Sequence, residues 1–233
     1  MDLASFLTPP EIVSGGWLRY SLAALTRVDA IFHTDRIASM SILKRRHWIF
    51  DLDGTLTRSV HDFEDIREQL GLPDGSEILE TLAAMPADRA RPLWKKLDEI
   101  ELDLTRCATA ADGAVPLLKH LAGENYRLGV LTRNSLRCAH ETLRVAGLDR
   151  YFDPSSILGR EAAEPKPSPE GVLALLSRWQ VPANSALMVG DYLFDLQAGR
   201  AAGTATVYVD ETGEFPYREH ADLQVERLDA LIS

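Results

Sequence analysis

Residues 48–55, Trp-Ile-Phe-Asp-Leu-Asp-Gly-Thr, run three apolar residues directly into Asp51, Asp53 and a glycine. A second apolar run at 186–190 leads into Asp191, and Asp195 follows one helical turn later. Carboxylates gathered at strand ends repel one another. Two unit charges about 4 Å apart cost roughly 4 kcal/mol at an effective dielectric near ~20. A hard divalent cation removes that cost. Mg²⁺ suits one or two carboxylates, with phosphate and water oxygens completing the shell. Asp51, Asp53, Asp191 and Asp195 are therefore read together as a metal-binding set. Groups suited to an anion stand elsewhere in the chain. Thr132 offers a hydroxyl after an apolar run and precedes Arg133 and Asn134, where a helix opens with free backbone N–H groups. Lys166 lies between Pro165 and Pro167 just ahead of another helix. A lysine held by such stiff neighbours is a point charge for an anion.

The elements that must position these residues follow from periodicity. Apolar runs at 47–53, 126–132, 156–159, 186–191 and 204–210 read as strands. They alternate with helix patterns at 114–123, 135–148, 169–179 and 196–203, in which apolar positions recur every three or four residues. Nearly all-apolar strands separated by helices of about ten residues predict a parallel sheet covered on both faces, a doubly wound α/β fold. Ligands of such sheets sit beyond the carboxyl ends of the strands. Asp51, Asp53, Thr132 and Asp191 all fall on that one edge. Residues 61–111 contain no strand pattern, only helix-period stretches at 63–70, 77–85 and 87–104. This segment leaves the sheet directly after the first motif and is placed to act as a lid. The expected domains are an N-terminal extension over 1–43, an α/β core from 44–60 and 112–233, and a helical cap over 61–111.

Composition limits the partners. The 233 residues carry a formal net charge of −10, which argues against a backbone-reading nucleic-acid binder. The basic run Lys44-Arg45-Arg46 reads as a solvated lead-in to the first strand. Cys107 and Cys138 fit no metal-ligand spacing and read as reduced thiols. No run approaches the length of a membrane span, and the first residues lack a secretory pattern. A cytoplasmic protein is the expectation. Residues 1–39 match nothing in the fold, and Met40 is a possible alternative start.

Asp51-Leu52-Asp53-Gly54-Thr55, Thr132 after its apolar strand, Lys166 in a Pro-Lys-Pro context and Gly190-Asp191 with Asp195 resemble the four motifs of the haloacid dehalogenase superfamily. Their order and spacing are similar to its phosphoglycolate-phosphatase-like branch, which has a helical cap inserted after the first motif and a Rossmann-like core. The resemblance covers about 47–230. It implies a Mg²⁺-dependent phosphatase acting on a small phosphorylated metabolite, phosphoglycolate-like or a sugar phosphate. Asp51 would be the nucleophile that forms an aspartyl-phosphate. Asp53 would protonate the leaving alcohol, then activate water, its backbone carbonyl also binding Mg²⁺. Thr132 and Lys166 would hold the phosphoryl oxygens, with Gly54, Arg133 and Asn134 on the substrate side. Asp191 would bind Mg²⁺, and Asp195 would bind it or orient its water. Crowding by other carboxylates is expected to raise the pKa of Asp53. Two departures from the branch stand out: Thr57-Arg58 precedes Ser59, and Arg133 separates Thr132 from Asn134. Arg58 is expected to point to solvent.

Other readings remain at this level. A phosphomutase of the β-phosphoglucomutase type shares every core residue named. A phosphonate hydrolase would want a cap lysine, for which Lys95 and Lys96 are available on what reads as an amphipathic helix. A haloacid dehalogenase proper would not need Asp53. A non-catalytic regulatory protein on the same fold is the alternative of another class.

Overall fold

The computed structural model describes residues 41–232. The expectations for residues 1–40, including their dispensability, lie outside the described residues. The chain forms a six-stranded sheet in the order β3-β2-β1-β4-β5-β6, with β1 His47–Phe50, β2 Arg127–Leu131, β3 Ile157–Leu158, β4 Ala186–Gly190, β5 Ala205–Val209 and β6 Leu223–Val225. Every pairing is parallel. The central strand β1 sets Phe50 opposite Val130 on one side and Val189 on the other. Trp48, Phe50, Leu187 and Val189 face one buried cluster, while Ile49, Ala186 and Met188 face a second. Covering on both faces is why the strands read as unbroken apolar runs rather than alternating ones.

Helices α1 Phe63–Leu70, α2 Ile78–Ala83 and α3 Ala87–Leu104 follow β1; α4 Ala114–Gly123, α5 Leu136–Val145, α6 Glu170–Trp179 and α7 Leu193–Ala202 connect the later strands. Their ends carry the expected chemistry. Asp62 accepts hydrogen bonds from the Glu64 and Asp65 amides at the start of α1, and left-handed Gly71 ends it. Ser135 caps α5 by accepting from the Cys138 N–H. Helices α1–α3 bury Ile66, Leu70, Leu79, Leu82 and Leu97 in a third apolar cluster of their own. The chain leaving the sheet and the chain returning to it pair at Thr57 and Ala110. The Arg58 amide donates to the Thr109 carbonyl at 3.0 Å.

Three local differences from the sequence reading have physical reasons. Strand β6, Leu-Gln-Val, is too short and too exposed to give an apolar run. Strand β1 ends at Phe50, because Asp51 begins a tight turn in which Gly54 donates to the Thr57 carbonyl at 2.8 Å. Helix α7 begins at Leu193, three residues before the apolar pattern, because the Asp195 carboxylate accepts the Tyr192 amide N–H and closes its first turn.

Candidate active site

Strands β2 and β4 flank β1, so connections leave its carboxyl end in opposite directions and open a crevice there. Asp51 follows β1 directly, and its N–H donates to the Val189 carbonyl at 2.9 Å. Asp191 follows β4, and Asp195 lies in the first turn of α7. Carboxylate oxygens of Asp51, Asp191 and Asp195 all lie within 4.8 Å of one another. The Lys166 ammonium is buried among them. It donates to Asp51 through a short contact and to Asp195 Oδ1 at 2.6 Å. The second oxygen of Asp195 is held by the Tyr192 N–H at 3.1 Å. Both oxygens of Asp195 are thus engaged, one of them in holding Lys166.

The Asp53 side chain is not in this cluster. Its Oδ2 accepts from the Asn134 amide at 2.8 Å, and its Oδ1 lies 3.8 Å from His61 Nδ1. Thr132 turns its hydroxyl oxygen to the Asn134 N–H at 3.1 Å, which fixes the start of the following turn. Gly54 has φ +92°, and a Cβ there would fall 2.3 Å from Asp191 Oδ2. Only a glycine lets the turn pass that close to the carboxylate. Thr55 completes the support by donating to Asp191 Oδ1 at 2.9 Å.

Burial dominates the electrostatics. It pushes the Asp51 carboxyl up to about 7, an effect opposed by Lys166 and reinforced by Asp195. Asp53 is raised to about 6, again by burial, while Lys166 and the Asn134 hydrogen bond pull it down. The direction for Asp53 is the one expected, but burial causes it rather than crowding by other carboxylates. Burial, Asp51 and Asp195 raise Asp191. Burial alone would lower Lys166, but the Asp195 and Asp51 carboxylates outweigh it and hold the ammonium charged. The donor set is all carboxylate oxygen, buried and in excess of the one cation it holds. It fits a hard divalent ion.

A cavity of about 300 Å³ opens above this floor, lined by Asp51, Asp53, Arg133, Asn134, Lys166 and Asp191 and roofed by residues of α1–α3. Thr132 and Gly54 support the site from behind and do not line the cavity. Arg133 does line it, but its guanidinium is already engaged. Nη2 donates to both Glu80 oxygens at 2.9 Å, Nη1 donates to the Lys166 carbonyl at 2.5 Å, and the group lies 4.9 Å from the Phe194 ring centre. Arg58 pairs with Asp112 at 2.7 Å on the surface, away from the cavity. Lys95 pairs with Glu99 and Lys96 donates to the Gln69 carbonyl, so neither lysine faces the site.

Four contributors escaped the sequence reading. His61, Glu80, Glu101 and Arg160 meet the site or its supports only through the fold. His61 alone left a trace, as a histidine shortly after Asp53 in the outgoing connection.

The fold and this floor define a doubly wound α/β protein with a carboxylate-rich site at its switch point. The family model for haloacid dehalogenase-like hydrolase matches residues 46–203, and the chain belongs to that family. It is 27% identical over 186 residues to pyrophosphatase PpaX of Listeria monocytogenes, covering 69% of this chain and 81% of the relative. It is 28% identical over 208 residues to a phosphoglycolate phosphatase of Nitrosococcus oceani, covering 79% and 90%. A solved haloacid dehalogenase-superfamily hydrolase of subfamily IA from Geobacter sulfurreducens superposes with a TM-score of 0.58 at 26% identity, over 80% of this chain and 97% of that one. Among the described residues, no helix is long and apolar enough to cross a membrane.

Proposed function

We propose that the chain is a Mg²⁺-dependent phosphatase that hydrolyses a small phosphate monoester through an aspartyl-phosphate on Asp51. The observation that carries this reading is the buried Lys166 ammonium held between Asp51 and Asp195, beside an Asp53 that is separately hydrogen-bonded. A carboxylate cannot approach a phosphate dianion without cancelled charge, so positioning and electrostatics are the protein's main work. Asp51 and Asp191, with the Asp53 backbone carbonyl, would hold Mg²⁺, which supplies the remaining positive charge for the phosphoryl oxygens, and Asp195, which already holds Lys166 and the Tyr192 N–H, would bind it or orient its water.

In the first step an Asp51 oxygen bonds to phosphorus as the P–O ester bond breaks, and Asp53 gives its proton to the departing alkoxide oxygen. In the second, Asp53 takes a proton from the water that attacks phosphorus, and the Asp51–phosphorus bond breaks to release inorganic phosphate. A carboxyl raised to about 6 is suited to both duties near neutral pH. The Asn134 amide holds one Asp53 oxygen, and the other lies 3.8 Å from His61 Nδ1. Lys166 is assigned to the phosphoryl oxygens, while Thr132, whose hydroxyl oxygen accepts the Asn134 N–H, is assigned to positioning the turn beside them. The unpaired Cys107 and Cys138 support a reducing, cytoplasmic setting.

Rapid acid quench with a phosphate-labelled ester tests the assignment. Asp51→Asn should lose both turnover and covalent label. Asp53→Asn should be slowed by about 10²–10⁴-fold, the usual worth of general acid–base help, while phosphoenzyme accumulates. Label on Asp51→Asn but never on Asp53→Asn would place the nucleophile on the wrong residue. Phosphate transferred to a second sugar oxygen, rather than released, would favour the mutase.

A further inference from the structure

The floor handles a phosphoryl group; the rest of the cavity must accept whatever that group is esterified to. Among the described residues, three cations line the cavity, and each already has a carboxylate. Lys166 is held by Asp51 and Asp195. Arg133 is bound by Glu80 and lies 3.8 Å from Glu77. Arg67 gives Nε to the Ser76 carbonyl at 2.7 Å and Nη1 to Glu64 at 2.8 Å. The roof adds two further acids, Glu77 beside Arg133 and Glu101 bound by Arg160, and its remaining surface includes Phe63, Ile66, Ile78 and Leu97. Phe63 and Tyr192 are large exposed aromatic residues of the same lining. Among the described residues, one buried side-chain polar atom has no hydrogen-bond partner, Nε2 of His61 in this same lining. It offers one hydrogen bond, too little to hold a carboxylate or a second phosphate.

On the phosphatase reading above, we propose that the substrate is a monoester of a neutral alcohol with an apolar body, and that a second anionic group is rejected. A leaving group with its own carboxylate or phosphate would find, among the described residues, no uncommitted cation to receive it, since Glu101 already holds Arg160 and Glu77 lies beside Arg133. Rejection by an unpaired charge is a standard route to specificity. This selectivity would separate the chain from relatives whose names specify phosphoglycolate or pyrophosphate.

Phosphate release by the full chain with Mg²⁺ should be compared for benzyl phosphate, phosphoglycolate and pyrophosphate. The first two are both esters of primary alcohols, so tail charge is the main contrast between them. The expected kcat/KM for benzyl phosphate exceeds that for either anionic substrate by about tenfold or more, the effect of one modest electrostatic penalty. Glu80→Gln removes the carboxylate that occupies Arg133, and should shift the phosphoglycolate-to-benzyl-phosphate ratio upward several-fold. Equal or faster turnover of phosphoglycolate or pyrophosphate by the unaltered chain would overturn the inference, as would an unchanged ratio in Glu80→Gln. Absence of release from all three would instead strike the phosphatase reading, and the inference with it.

Discussion

At the scale of single residues, the site depends on atoms that are missing as much as on atoms that are present. Gly54 holds φ +92°, and its Cα stands where a Cβ would meet Asp191 Oδ2 at 2.3 Å and Cγ at 2.6 Å. Gly190 stands in the same relation to Asp195, whose Cβ would lie 2.2 Å away. The two aspartates after β4 are thus each pressed against a glycine, and their carboxylates have no room to retreat. Gly54→Ala should therefore move Asp191 and break its bond from Thr55, weakening Mg²⁺ binding by about 10–100-fold, as loss of a supporting contact typically does. Gly75→Ala is the control, since Gly75 has φ +67° with nothing within 4 Å of an added Cβ. Both variants carry left-handed strain of about 1–2 kcal/mol, but only Gly54→Ala should lose metal affinity in a calorimetric titration. Equal affinity in the two variants would show that Asp191 is not held by this contact.

At the scale of elements, the question is what holds α3 against the loops that carry the site. Glu101 on α3 is buried, and one guanidinium nitrogen of Arg160 donates to both its oxygens at 2.8 Å. Arg160 also contacts Asp98, and its backbone N–H donates to the Asn134 carbonyl at 2.9 Å. The same arginine therefore ties α3 to the turn that positions Asn134 on Asp53. Burial raises the Glu101 carboxyl to about 7 against the pull of Arg160. Between the ordinary value of 4.5 and about 7 the folded state binds a proton that the unfolded state does not. The contribution of Glu101 to stability therefore falls as pH rises through that window, by a total on the order of 3 kcal/mol. Glu101→Gln should remove this slope: relative to the unaltered chain, the variant should gain stability in urea unfolding between pH 5 and pH 8 (about neutral at the lower value, by isostery). A constant difference across that range would mean that Glu101 stays ionised throughout. None of this arrangement was legible in the sequence, where Glu101 is one of several acids on a helix with a charged face. The parallel sheet, the convergence of Asp51, Asp53 and Asp191 on one edge, and the helical character of 63–104 were legible, because continuous apolar strands and 3.6-residue periodicity are local signals. Arg133–Glu80, Arg160–Glu101 and His61 near Asp53 were not, because each joins segments that only tertiary folding brings together.

At the scale of the whole molecule, the described residues contain a six-stranded sheet and the helices that cover it. The principal apolar cluster runs from Trp48 in β1 to Leu228 and Leu231 near the carboxyl end. Ile42 and Leu43 are partly buried against it, and Arg45 donates to the Ala186 carbonyl at 2.8 Å. The compact unit is bounded at Ile42, just after Met40, and Ile42 and Leu43 are the first of the described residues to join its core. A chain beginning at Met40 keeps Ile42, Leu43 and Arg45, every described strand, and every residue assigned to the site. Such a chain should unfold in a single cooperative transition and retain Mg²⁺-dependent phosphate release, with kcat/KM within about twofold of the full chain, because it keeps every described residue that lines the cavity. Loss of Ile42 and Leu43 as well, in a chain beginning at Lys44, should cost stability, since two partly buried apolar side chains contribute on the order of 1–3 kcal/mol together. Urea titration of the three chains separates these expectations. If the Met40 chain aggregates or loses several kcal/mol while the Lys44 chain is no worse, residues 1–39 contribute to the stability of the core, and the border has been drawn in the wrong place.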